Sequence, residues 1–171
     1  HLHFEVCFRL SDDFQGWYNW KKYKEKNEHG VFNGMNLVGI NPATFFEQTQ
    51  WNHATRLRQV LDAEKTAFTV MVSTRQVPDF VKRYPALVDG LIPSKGLAGW
   101  RIEYTYYGVP KKWTPLISKN GTVKEGKMAL ENYDETLLKS DACRQMIRIR
   151  NGKPTVGSGL QTSLQLIFGF R

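Results

Sequence analysis

The chain has 171 residues, of which 41% are hydrophobic and 13% aromatic, and it carries a net charge of +8. That composition supports one packed domain or two small ones and excludes an intrinsically disordered chain. No run approaches the roughly 20 apolar residues of a membrane helix, and two cysteines without CxxC spacing exclude a disulfide framework.

Residues 1–10 read as a strand. By two-residue alternation His1, His3, Glu5 and Cys7 share one face. Leu2, Phe4 and Val6 take the other face and are expected in a core. Two imidazoles on one face can share a metal, or divide into a ligand and an acid/base group. Asp12, Asp13 and Gly16 end the strand. Residues 17–28 suit one or two helical turns, with Trp17, Tyr18, Trp20 and Tyr23 beside Lys21, Lys22, Lys24 and Lys26. These aromatics either grip a glycan or peptide, or lie buried beneath a surface helix.

Residues 27–34 are loop-like, 36–40 form a short strand and 42–47 a helical turn. Residues 52–64 fit a helix through Leu57, Val60 and Leu61, or a strand. The run TAFTVMVST at 66–74 is a strand. Residues 78–84 are helical, limited by Pro85. A strand over 99–109 puts Trp100, Ile102, Tyr104 and Tyr106 on one side, as a core stripe. Residues 113–118 and 122–128 flank Asn120-Gly121, a hairpin signal, and Asn151-Gly152 turns the chain again into 154–156. Residues 134–146 read as a short helix or a late strand. The last segment, SLQLIFGF at 163–170, reads as a strand. The whole pattern is α+β and mostly antiparallel β.

Charge is unevenly spread. Residues 1–50 hold five Lys/Arg and six Asp/Glu, and residues 51–171 hold nineteen and ten. That step places a boundary near 50, with 51–171 as a basic β-rich α+β unit of its own. Its charges are scattered, which reads first as a solvated surface. Anionic wall polymers, nucleic acid or an acidic neighbouring subunit are the partners a basic half could meet, and no nucleic-acid-binding signature accompanies it. Cys7 falls on the histidine face as a small, half-buried residue, and a bridge to Cys143 is the alternative.

The string His1-Leu2-His3-Phe4-Glu5-Val6 resembles the end of the HxH motif of lysostaphin-type zinc endopeptidases, which cut peptide crosslinks in bacterial cell walls. Val38-Gly39-Ile40-Asn41-Pro42-Ala43-Thr44-Phe45-Phe46 resembles the (V/I)(D/N)P segment that closes that domain. The likeness covers residues 1–47. It implies that 1–50 is the tail end of a lysostaphin-type β-domain, with His3 a zinc ligand and His1 the catalytic histidine. In that family a His and an Asp of an H-x-x-x-D motif complete the zinc site. His29 is followed by Gly-Val-Phe-Asn and His53 by Ala-Thr-Arg-Leu, so neither begins such a motif. The remaining zinc ligands are therefore expected upstream of His1, and the chain is not expected to be active alone.

Between the two matches, 11–36 is longer than the family's short hairpin. Here it reads as an enlarged loop at the active-site groove, with Trp17, Tyr18 and Trp20 as substrate-binding residues. The implied substrate is the peptidoglycan crosslink peptide. The implied setting is a phage tail-associated lysin, outside the cell or on the virion. Two other readings stand beside it. One is a non-catalytic assembly protein that keeps the endopeptidase scaffold. The other is a copper site built on an N-terminal His1.

Overall fold

The computed structural model describes residues 4–50, 57–118, 123–138 and 145–171. In chain order the elements are β1 (Val6–Arg9), α1 (Phe14–Trp20), two 3-10 turns (Gly30–Phe32 and Gly34–Asn36), β2 (Leu37–Ile40), α2 (Pro42–Gln50) and α3 (Leu57–Asp62). Then come β3 (Phe68–Ser73), α4 (Asp79–Arg83), a 3-10 turn (Pro85–Leu87), β4 (Leu97–Tyr104), β5 (Pro110–Ile117) and β6 (Met128–Tyr133). The chain ends with α5 (Glu135–Leu138), β7 (Ile147–Arg150), β8 (Lys153–Val156) and α6 (Ser158–Phe168). The fold is α+β, and its named strands all pair antiparallel.

β1 and β2 make a two-stranded ribbon with Val6 opposite Ile40 and Arg9 opposite Leu37. Alternation governs it. Phe8, Leu10, Val38 and Ile40 are buried on one face, leaving the odd-numbered residues of β1 on the other. Phe4, expected in the core, is 56% exposed. It precedes the first strand pair, and its ring is met by Phe46 of α2 at 5.4 Å.

The central sheet has the order β5-β4-β3-β6. One face carries Phe68, Val70 and Val72 of β3, Trp100, Ile102 and Tyr104 of β4, and Trp113 of β5, all buried. Leu160, Leu164 and Phe168 of α6 join the same cluster, with Phe168 5.9 Å from Trp113. Phe80 of α4 lies 5.5 Å from Trp113 and 6.3 Å from Phe8 of β1. A chain of aromatic contacts thus runs from the ribbon through α4 to the sheet. Phe8, Phe14, Trp17 and Val38 belong to the same apolar cluster as the sheet residues of the segment 51–171.

Three local expectations are corrected. The strands on either side of Asn120-Gly121 are not a hairpin. β5 pairs with β4, and β6 pairs with β3 on the opposite edge. The Asn120-Gly121 pair itself lies outside the described residues. Tyr106 leaves the core stripe and is exposed. The strand ends at Tyr104, and a turn closed by Thr105 N–H to Val109 O (3.0 Å) passes through Gly108 at φ +93°. The terminal SLQLIFGF is helix, not strand. Leu160, Leu164 and Ile167 recur at helical spacing, and Gly169 ends the helix at φ +69° with its N–H on Gln165 O. The strand reading arose because Leu164, Leu166 and Phe168 also alternate. Asn151-Gly152 does turn β7 into β8, with φ of +50° and +71° as a type I′ turn requires.

Tyr104 is wholly buried, stacked on Phe68 at 4.8 Å, and its hydroxyl makes no hydrogen bond among the described residues. Burial raises its pKa far above that of a free tyrosine, with a smaller opposing effect from nearby Ser163. An unfolded tyrosine ionises near pH 10. The stability this difference supports is complete below that pH and is lost as pH rises beyond it. The expected fall is about 1.4 kcal/mol per pH unit for Tyr104. Tyr107, also raised by burial, adds to it in the same direction. In urea unfolding from pH 7 to 11, Tyr104→Phe should keep stability at pH 7 within about 1 kcal/mol, since no hydrogen bond is lost. It should also flatten the alkaline decline, and an unchanged decline would refute this assignment.

Candidate functional site

The odd-numbered face of β1 is the candidate site, because the sequence alternation expects the two histidines of the motif on that face. Glu5, Cys7 and Arg9 line an open cleft there. Its other walls are Leu37 of β2, Phe32 of the first 3-10 turn, and Arg83 and Tyr84 at the end of α4. Cys7 Sγ lies 3.5 Å from Glu5 Oε2.

The floor is fixed by side chains from distant parts of the sequence. The Arg9 main-chain N–H donates to Tyr84 Oη at 3.1 Å, and Arg83 Nη1 donates to the Arg9 carbonyl at 2.9 Å. Asp12 pairs with Arg9 Nη2 at 2.6 Å and also with Arg83. The Arg83 guanidinium lies 5.5 Å from the Tyr84 ring centroid. Two guanidinium groups therefore share one carboxylate, and Arg9 Nε is buried without a hydrogen-bond partner among the described residues.

The wall that carries Phe32 is held by asparagines. Asn36 is fully buried. Its Oδ1 accepts from Ser11 N–H at 2.9 Å, and its Nδ2 donates to Ser11 O at 2.8 Å and to Val31 O at 2.9 Å. Asn27 donates to Gln15 Oε1 and Gly30 O, and accepts from Asn33. Gly30, at φ +55°, supplies the backbone turn. Phe32 projects from this frame into solvent, 70% exposed.

The residues expected at the site divide as follows. His1 and His3 lie outside the described residues, as do His53 and Cys143. Trp17 and Tyr18 are buried rather than presented to a substrate. Phe14 stacks on Trp17 at 5.6 Å and meets Tyr18 at 5.7 Å, and Tyr18 Oη donates to Glu25 O at 3.1 Å. The burial follows from the helix itself. Asp13, expected to break structure, caps α1 by accepting from Gly16 N–H at 3.1 Å, and one face of the helix then turns inward. Trp20 keeps a partly open ring, with Lys21 Nζ 4.9 Å from its centroid. Arg9, Phe32 and Arg83 were not singled out from sequence. Arg9 continues the odd-numbered pattern and was legible there. Phe32 and Arg83 reach the cleft only through tertiary structure.

Among the described residues no group of three or more His, Cys, Asp or Glu side chains is placed to hold a metal ion. No described helix is long and apolar enough to cross a membrane. Comparison with protein-family models, curated proteins and solved structures finds no match.

Asn36 makes three side-chain hydrogen bonds from a buried position, at about 1 kcal/mol each with a further penalty for groups left unsatisfied. Asn36→Ala should therefore lower unfolding stability by about 2–4 kcal/mol and loosen the Phe32 wall. Urea unfolding with exchange rates at the Ser11 amide checks both. A loss below 1 kcal/mol would mean that Asn36 does not hold this wall.

Proposed function

We propose that this chain supplies the C-terminal part of a zinc endopeptidase that cuts peptidoglycan crosslinks, as a tail-associated lysin of a bacteriophage acting on the bacterial wall. The observation that supports the reading is the pairing of β1 with β2. β1, which starts at the last residue of the first matching segment, runs antiparallel to β2, which holds the start of the second, with Val6 opposite Ile40 and Asn41-Pro42 directly after. The odd-numbered face of β1 borders an open cleft, as a strand of a substrate groove must.

In this reading His3 is a zinc ligand and His1 the catalytic histidine. The described side chains do not make up a zinc site, and the other ligands are assigned to residues upstream of His1 in the full-length protein. When bound, zinc supplies Lewis-acid activation of the scissile amide and its attacking water. The described part of this chain contributes β1, whose Arg9 end is anchored to α4, and in this reading the histidine pair precedes that strand in sequence, with His3 as ligand and His1 as the acid/base group.

The test is metal analysis and hydrolysis of purified peptidoglycan by the full-length protein. His3→Ala should lose both zinc and hydrolysis. His1→Ala should retain zinc and lose hydrolysis by about 100-fold or more, the usual contribution of a general acid/base. A wild-type protein that binds no zinc and leaves crosslinks intact would favour an assembly scaffold instead.

A further inference from the structure

The cleft beside β1 has a chemistry of its own. From Glu5 to Arg9 it runs along four residues of extended chain, about 13 Å. Its two ends carry opposite charge. Glu5 lies at the end nearest the histidine pair in sequence. At the other end Arg9 and Arg83 share the single carboxylate of Asp12, which leaves one positive charge in excess. Phe32, which also lines the cleft, offers an exposed ring on a turn fixed by Asn27, Asn33 and Asn36. An exposed ring on a pre-set frame binds without the entropy cost of ordering a loop. Guanidinium groups favour carboxylates through charge-assisted, two-pronged hydrogen bonds.

We propose that this cleft binds an extended peptide bearing a free carboxylate, with an apolar side chain packed on Phe32 and the carboxylate directed to Arg9 and Arg83. Naming that peptide as a wall crosslink rests on the endopeptidase reading; the fit of peptide and carboxylate does not. The long segment between β1 and β2 then has a purpose. It carries Phe32 to the strand face and sets which peptides enter, as a specificity element rather than a catalytic one.

The experiment is calorimetric binding with full-length protein stripped of metal by chelator. The probe is a synthetic crosslinked tetrapeptide dimer, used with its C-terminal carboxylate and as the carboxamide. The carboxylate form should bind about 10-fold more tightly. Arg9→Gln should bring the two forms within about threefold of each other. Phe32→Ala should weaken both about 10-fold, with an unchanged melting temperature because the ring is exposed. Equal affinity for the two forms in the wild type would overturn the proposal. So would Phe32→Ala binding like the wild type. Because the metal is absent, the outcomes separate from the fate of the endopeptidase reading. A protein that hydrolyses crosslinks but shows no carboxylate preference refutes the subsite alone. One that shows the preference but holds no zinc refutes the enzyme alone.

Discussion

Arg83 is the joint on which the arrangement of the cleft depends. A two-stranded ribbon such as β1–β2 is marginal on its own. Here α4 and the residue that follows it hold the ribbon. Arg83 donates to the Arg9 carbonyl, pairs with Asp12 and lies over Tyr84, whose hydroxyl accepts the Arg9 N–H. Behind these polar contacts the Phe8 ring meets Tyr84 edge-on at 5.0 Å. The half-exposed ion pairs add little by themselves. The buried aromatic contacts and the two main-chain hydrogen bonds carry more, about 1 kcal/mol each. The strand that bears the candidate site is thus fixed by residues some 75 positions away in sequence.

The segment between β1 and β2 is a second support. Its aromatics divide by depth. Phe14, Trp17 and Tyr18 go inward and join the core, whereas Phe32 is held outward by the asparagine frame. The same segment therefore stabilises the fold and shapes the cleft. A cleft wall on such a frame is set in advance, without the ordering cost that a mobile loop would carry.

Legibility in the sequence followed the range of the forces involved. The β3 strand, the β1 and β2 strands and the Asn151-Gly152 turn were readable, because alternation and turn chemistry are local. The α6 helix was misread because Leu164, Leu166 and Phe168 fit both periods, and only the capping glycines and burial on the sheet decide between them. The Asn120-Gly121 signal suggested a local hairpin, yet the sheet order places β5 and β6 on opposite edges, a choice made by long-range packing. The charge step near residue 50 is a feature of composition, and buried residues from both sides of it share one apolar cluster, since surface charge says little about which apolar faces meet. In the cleft, Arg9 followed from alternation. Arg83 and Phe32 had no local signal, and Trp17 and Tyr18 carried a misleading one, because an aromatic beside lysines looks the same whether it is buried or displayed.

The central claim is that the ribbon and the central sheet are one cooperative unit joined through α4. Native-state hydrogen exchange tests it most directly, because it reads opening free energies strand by strand. The account predicts that the slowest amides of β1 and β2 exchange with the same free energy, and the same denaturant dependence, as those of β3 and β4. Ribbon amides that open at several kcal/mol below the sheet, with little denaturant dependence, would contradict it and return β1–β2 to the status of an independent unit.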